Sequence, residues 1–138
     1  PTAAIPTAAD NCDNDVDIVY GEVRTDGNCA DNYTLTRTWT ATDNCGNQDI
    51  QVQVITVQDT TDPILSGVPA DATVECDAVP TAATPTASDN CDADVTIDYV
   101  EVRTDGNCAD NYILTRTWTA TDNCGNQDVQ IQVITVAI

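Results

Sequence analysis

The segment Pro1–Asp59 returns, almost unchanged, as Pro80–Ile138. The two agree at 48 of 59 positions, and Cys12, Cys29 and Cys45 recur as Cys91, Cys108 and Cys124 at the same constant offset. A period this long does not suit a solenoid rung and fits a compact bead that recurs along an array. The sequence thus reads as a complete bead over residues 64–138 and an earlier one, residues 1–58, with no counterpart of Ile64–Val79. The acidic stretch Asp59–Pro63 reads as a linker, its Asp-Pro step disfavouring helix. With no methionine among its 138 residues, the chain reads as an internal slice of a longer protein or a processed product.

Within each bead one long hairpin dominates. Along Tyr112–Thr121, Tyr112, Leu114, Arg116, Trp118 and Ala120 alternate with Ile113 and a row of threonines, the period-two pattern of a half-buried strand. Asp122-Asn-Cys-Gly-Asn126 then supplies turn residues that tolerate a tight reversal. Val129, Ile131 and Val133 alternate with Gln130 and Gln132 on the return. The same text stands at Asn32–Val57 with three swaps. Val16–Val23, Val95–Val102 and Ala72–Cys76 read as further strands, Pro80–Ser88 as an extended return. No amphipathic helix is present. Five or more short strands in so small a bead predict an all-β fold, a tandem pair of immunoglobulin-like β-sandwich domains held by disulfides.

Charge narrows the partners. Four basic residues against 23 acidic ones give a net charge of −19, which argues against nucleic acid and anionic membrane surfaces. No segment approaches the roughly 20 apolar residues of a membrane span. Seven cysteines and no histidine, without CxxC spacing, suit an oxidised extracellular domain better than a zinc site. Without histidine, with two serines only and with every cysteine given a structural use, an enzyme is not expected.

Strand directions suggest the pairing. If beads run head to tail, the hairpin turn carrying Cys124 lies at the head of the bead, beside Cys91, while Cys76 and Cys108 meet at the foot. A ten-residue strand spans about 33 Å, whereas bridged Cα atoms sit within about 7 Å. The expected bonds are Cys91–Cys124 and Cys76–Cys108, with Cys12–Cys45 in the first bead and Cys29 unpaired within the sequence. By the same geometry Asp89, Asn90 and Asp92 meet Asp122 and Asn123 at the head, where Asp59 and Asp62 arrive. Calcium takes six to eight oxygen ligands of these kinds, so these residues are candidate ligands. Asp10, Asn11, Asp43 and Asn44 are their counterparts in the first bead. Turn-forming Asx residues would look the same without metal. Arg37 and Arg116, on the tryptophan face, are expected to pair with Glu22 and Glu101 or to stack on the rings. Asn32-Tyr-Thr34 matches a glycosylation sequon that Asn111-Tyr-Ile113 does not repeat.

Thr-Arg-Thr-Trp-Thr-Ala-Thr followed by Asp-Asn-Cys-Gly-Asn, and then Asp-Thr-Thr-Asp-Pro, resembles the HYR (hyalin-repeat) and HYR-like immunoglobulin-fold modules. These are strung in tandem in bacterial surface and secreted proteins of the Bacteroidota type. The resemblance covers essentially the whole chain, with Asp62-Pro63 in place of the usual Pro-Pro. It implies an extracellular or cell-surface array without enzymatic activity. The expected function is a structural repeat of a fibre, stalk or filament, stiffened by calcium between beads and disulfides within them, its partners neighbouring repeats end to end. The alternatives are an adhesin module binding a glycan or surface protein, or a spacer for a secreted enzyme.

Overall fold

A computed structural model describes residues 1–137, all-β, with no helix among them. The chain divides into two compact units, Pro1–Gln58 and Asp59–Ile138. The first is a three-stranded antiparallel sheet in the order β1 (Asp17–Asp26), β2 (Tyr33–Thr42), β3 (Gln48–Val57). The second adds an opening segment with β4 (Ile64–Ser66) and β5 (Ala72–Val74), then β6 (Thr86–Ser88). Its main strands are β7 (Thr96–Cys108), β8 (Asn111–Thr121) and β9 (Gln127–Val136). They form a sheet in the order β5-β9-β8-β7, with β5 parallel to the end of β9, while β4 pairs with β6.

The hairpin is the frame of both units. Asp122 starts the β8–β9 turn, accepting the Gly125 N–H on its carbonyl oxygen, while its own N–H donates to the Asn126 carbonyl at 3.1 Å. Gly125 closes it at φ 88°, and Gly46 holds the same place in the first unit at 85°, a conformation that costs a residue with Cβ. From there the register runs unbroken, pairing Trp118 with Gln130 and Leu114 with Ile134. Across β7, Tyr99 faces Trp118 with ring centres 5.1 Å apart. Arg116, buried, donates to Glu101 and to the Pro80 carbonyl, both at 2.7 Å. Arg37 makes the same bonds to Glu22 and Pro1, so the arginines are structural pins, as expected.

The core of the second unit lies between this sheet and the opening segment. Leu65 packs on Trp118 and Ala120, with Ala83, Ala87, Val95 and Ile97 around them. Lower down, Val74 and Val79 cover Leu114, Ile134 and Val136. Burial of each large aliphatic contributes about 1.5–3 kcal/mol.

Over the first half of β9 the inward face is the polar row, Asp128, Gln130 and Gln132, which Ile134 and Val136 continue as an apolar one. Val129 and Ile131 are 52% and 53% exposed, while Gln132 is buried. Asp128 accepts the Leu65 N–H at 2.9 Å, and Asp71 accepts the Val133 N–H at 2.7 Å. Gln132 donates to the Ala70 carbonyl at 3.0 Å. Asp128 and Gln132 grip the backbone of the opening segment, and Asp71 of that segment grips the backbone of β9 in return; β4 and β5 are three residues each and have few ladder bonds of their own. Residues 59–63, read as a linker, pack as part of this unit: Asp59 and Pro63 are buried in it.

Candidate metal centre

Two Asx turns and the start of the opening segment converge in the second unit. Asp89 accepts the N–H groups of Cys91 and Asp92 on Oδ2, at 2.8 and 2.9 Å. Its Oδ1 is buried without a hydrogen-bond partner among the described residues. Asp122 accepts the N–H groups of Cys124 and Asn126 on Oδ1 and the Asn126 amide on Oδ2. Asp92 ties the turns together, its Oδ2 receiving the Asn123 N–H at 2.9 Å. Asp59 completes the group. Its Oδ1 accepts the Thr61 N–H, and its carbonyl accepts from the Asn126 amide. Ligand atoms of Asp59, Asp89 and Cys91 lie within 4.8 Å of one another.

The electrostatics are unbalanced. The Thr61 N–H draws the Asp59 pKa down, but burial and the nearby Asp89 and Asp122 carboxylates outweigh it, and Asp59 titrates above the ordinary aspartate value. For Asp122 burial pushes up, yet the side-chain and backbone bonds from Asn126 and the N–H groups of Cys124 and Gly125 win, and its pKa falls. No cationic side chain serves the cluster. The chain has four basic residues; Arg24, Arg37, Arg103 and Arg116 are ion-paired to Asp26, Glu22, Asp105 and Glu101. Buried carboxylates of like sign need a counter-charge or a proton. The atoms brought together are two carboxylates and one thiol, with the Asp122 carboxylate acting on Asp59 from nearby; the carboxylates fit a hard divalent cation such as calcium, the thiol a softer one.

A family model for HYR-like domains with four cysteines matches residues 1–57 and 64–136. The chain belongs to this family. HYR-like domains have an immunoglobulin-like fold, are non-catalytic repeats, and are generally found in extracellular or cell-surface proteins. No curated protein matches the sequence. The four cysteines are all present in the second HYR-like unit, as Cys76, Cys91, Cys108 and Cys124.

Of the expected ligands, the structure brings Asp59 and Asp89 within ligand distance of each other, with Asp122 close enough to act on Asp59. Asp62 stays outside the group, and it, Asn90 and Asn123 are exposed. Asp92 serves as the clamp between turns, its Oδ1 taken by the Asp94 N–H. In the first HYR-like unit Asp10 and Asp43 form the same Asx turns, and Asp13 gives the same clamp to the Asn44 N–H. Asn11 is exposed, and no carboxylate of this unit stands where Asp59 stands in the second. Sequence reading missed Asn126 as the residue binding Asp59, and it assigned Cys91 wholly to a disulfide.

The cysteines differ from the expectation. None of the Cys12–Cys45, Cys76–Cys108 and Cys91–Cys124 bonds is formed in this structure; Cys12, Cys45, Cys76 and Cys108 are exposed thiols. The turns do meet, but the contact between them is made by Asp13 and Asn44, leaving the thiols of Cys12 and Cys45 outside. Cys29, expected to be unpaired within the sequence, is disulfide-bonded. The expectation assumed that its only partner would be a counterpart of Cys76, and strand directions alone do not restrict an exposed loop in this way.

Proposed function

We propose that this chain is a structural repeat of an extracellular fibre, stalk or surface filament, stiffened by calcium at the head of each complete unit. The observation that supports this reading is the carboxylate group Asp59, Asp89 and Asp122, the first and last of them buried, with all four arginines committed elsewhere. Asp59 belongs to the start of the opening segment and the other two to turns of the sheet, so one ion would fasten the incoming chain to the unit. Such a lock resists tension where repeats join end to end. A binding function for a glycan or protein has no comparable observation behind it, because the loops at Asp26–Asn32 and Asp105–Asn111 are identical.

Calorimetric titration of the chelator-treated chain with calcium should show one site in the second unit. At a hundredfold excess over Kd the ion should stabilise that unit by about 2.7 kcal/mol. Absence of binding at millimolar calcium would overturn the reading.

Oxidation is the second stiffening element proposed. Asp13–Asn44 already holds the Cys12 turn against the Cys45 turn. At the foot, the Val74–Val136–Tyr112 register places Cys76 at the same end as Cys108. Peptide mapping after air oxidation should recover Cys12–Cys45 and Cys76–Cys108; a Cys108–Cys124 peptide would contradict the register.

A further inference from the structure

The two units share their sheet but not their cover, and the difference exposes a docking groove. In the first unit an open groove of about 450 Å³ is lined by Ala4, Ala8, Val16, Ile18, Trp39 and Ala41, among others. Their counterparts one repeat later are Ala83, Ala87, Val95, Ile97, Trp118 and Ala120. In the second unit that set is the seat of Leu65.

The polar contacts correspond as well. Asp128 and Gln130, which hold the N–H and carbonyl of Leu65, have Asp49 and Gln51 as counterparts, both lining the groove. The Gln51 amide donates to Asp49 at 3.2 Å, as that of Gln130 donates to Asp128 at 3.1 Å, so the two grips are set alike. Asn126, which binds the Asp59 carbonyl, corresponds to Asn47, also at the groove. Thr86–Ser88 forms β6 against β4, whereas Thr7–Ala9 is in no strand. Apolar seat, backbone grips and open edge are all in place.

We infer that this groove is an acceptor for an extended segment of the Asp59–Val79 kind, contributed by a further repeat. The segment of residues 59–79 does not fill it, because that segment is already seated in its own second unit. Joined ahead of Pro1, a further repeat delivers the segment at the position that Val79 holds ahead of Pro80. The segment brings a leucine to Trp39, an edge strand to Thr7–Ala9, and an aspartate to Asp10 and Asp43. That last step rests on the calcium reading above and makes strand docking and cation binding one coupled event.

The test titrates the full chain with a synthetic peptide of residues 59–79 carrying Cys76→Ser, first in chelator and then in calcium, following the two indole N–H signals by NMR. The Trp39 signal should shift to saturation at one peptide per chain while that of Trp118 stays. A peptide with Leu65→Asp should leave Trp39 unmoved, and Asp49→Ala in the chain should weaken binding about fivefold to tenfold. As a second arm, the same segment is fused ahead of Pro1, which removes the cost of bimolecular association. There the Trp39 indole and the amides of β2 and β3 should become as protected from exchange as their counterparts in β8 and β9. If neither arm protects Trp39, or if the Leu65→Asp segment protects it equally, the inference is wrong. Docking that calcium fails to tighten would retain the groove and remove the coupling, so the two readings fail separately.

Discussion

Replacing Trp118 by alanine is expected to cost the second unit about 3–5 kcal/mol, while Trp39→Ala costs the first unit less than about 2 kcal/mol. The residues are identical, sit on equivalent strands and stack on equivalent tyrosines, with ring centres 5.3 Å apart for Tyr20–Trp39. They differ in cover. Trp118 is 2% exposed beneath Leu65, Ala83 and Ala87, so its removal leaves a cavity that the sheet cannot collapse into. Trp39 forms one wall of an open groove, and water already solvates part of the surface that would be lost. Urea denaturation followed by hydrogen exchange on each unit would separate the two losses. Equal losses would mean that the groove of the first unit is closed in solution.

Asp59→Asn should abolish the calcium response of the second unit and leave its stability in chelator unchanged or raised. The substitution keeps the oxygen that accepts the Thr61 N–H and removes a negative charge from beside Asp89 and Asp122, whose field already disfavours the ionised Asp59. Asp122→Ala should behave differently. Its carboxylate holds the N–H groups of Cys124 and Asn126 and the Asn126 amide, so the variant should melt lower with or without calcium. Thermal scans of both variants in chelator and in calcium check this. An Asp59→Asn variant that still gains stability from calcium would place the ion elsewhere.

The hairpins, their turns and the all-β class were legible because period-two alternation and the Asp-Asn-Cys-Gly-Asn text are local. The arginine–glutamate pins were legible for a related reason: Arg116 lies on the tryptophan face, and Glu101 is directly opposite in the register. Which face of β9 turns inward was not. Alternation separates Val129 and Ile131 from Asp128, Gln130 and Gln132, and hydropathy favours the aliphatic row for the interior. The pairing of Trp118 with Gln130 decides otherwise, because the tryptophan face is the one the opening segment covers. Asp59 and Asp62 were indistinguishable by composition. Their separation depends on the burial of Asp59 and Pro63 against the sheet, a tertiary fact. The thiols were assigned from strand directions, which locate a cysteine at one end of a bead without specifying where its side chain points.

The parallel pairing of β5 with the end of β9 matters when the second unit is pulled. Tension drawn through the start of the opening segment moves Ala72–Val74 one way, and tension drawn through the chain after Val136 moves Ile134–Val136 the other. Because the strands run in the same direction, their bonds, with the Ala137 N–H to the Val74 carbonyl at 3.1 Å, are loaded in shear and must rupture together. A hairpin peeled from its open end surrenders its bonds one by one. The short β5, paired over three residues with the end of β9, acts as a mechanical fuse across the ends of the unit, and the long β8–β9 ladder behind it bears load only after the two part.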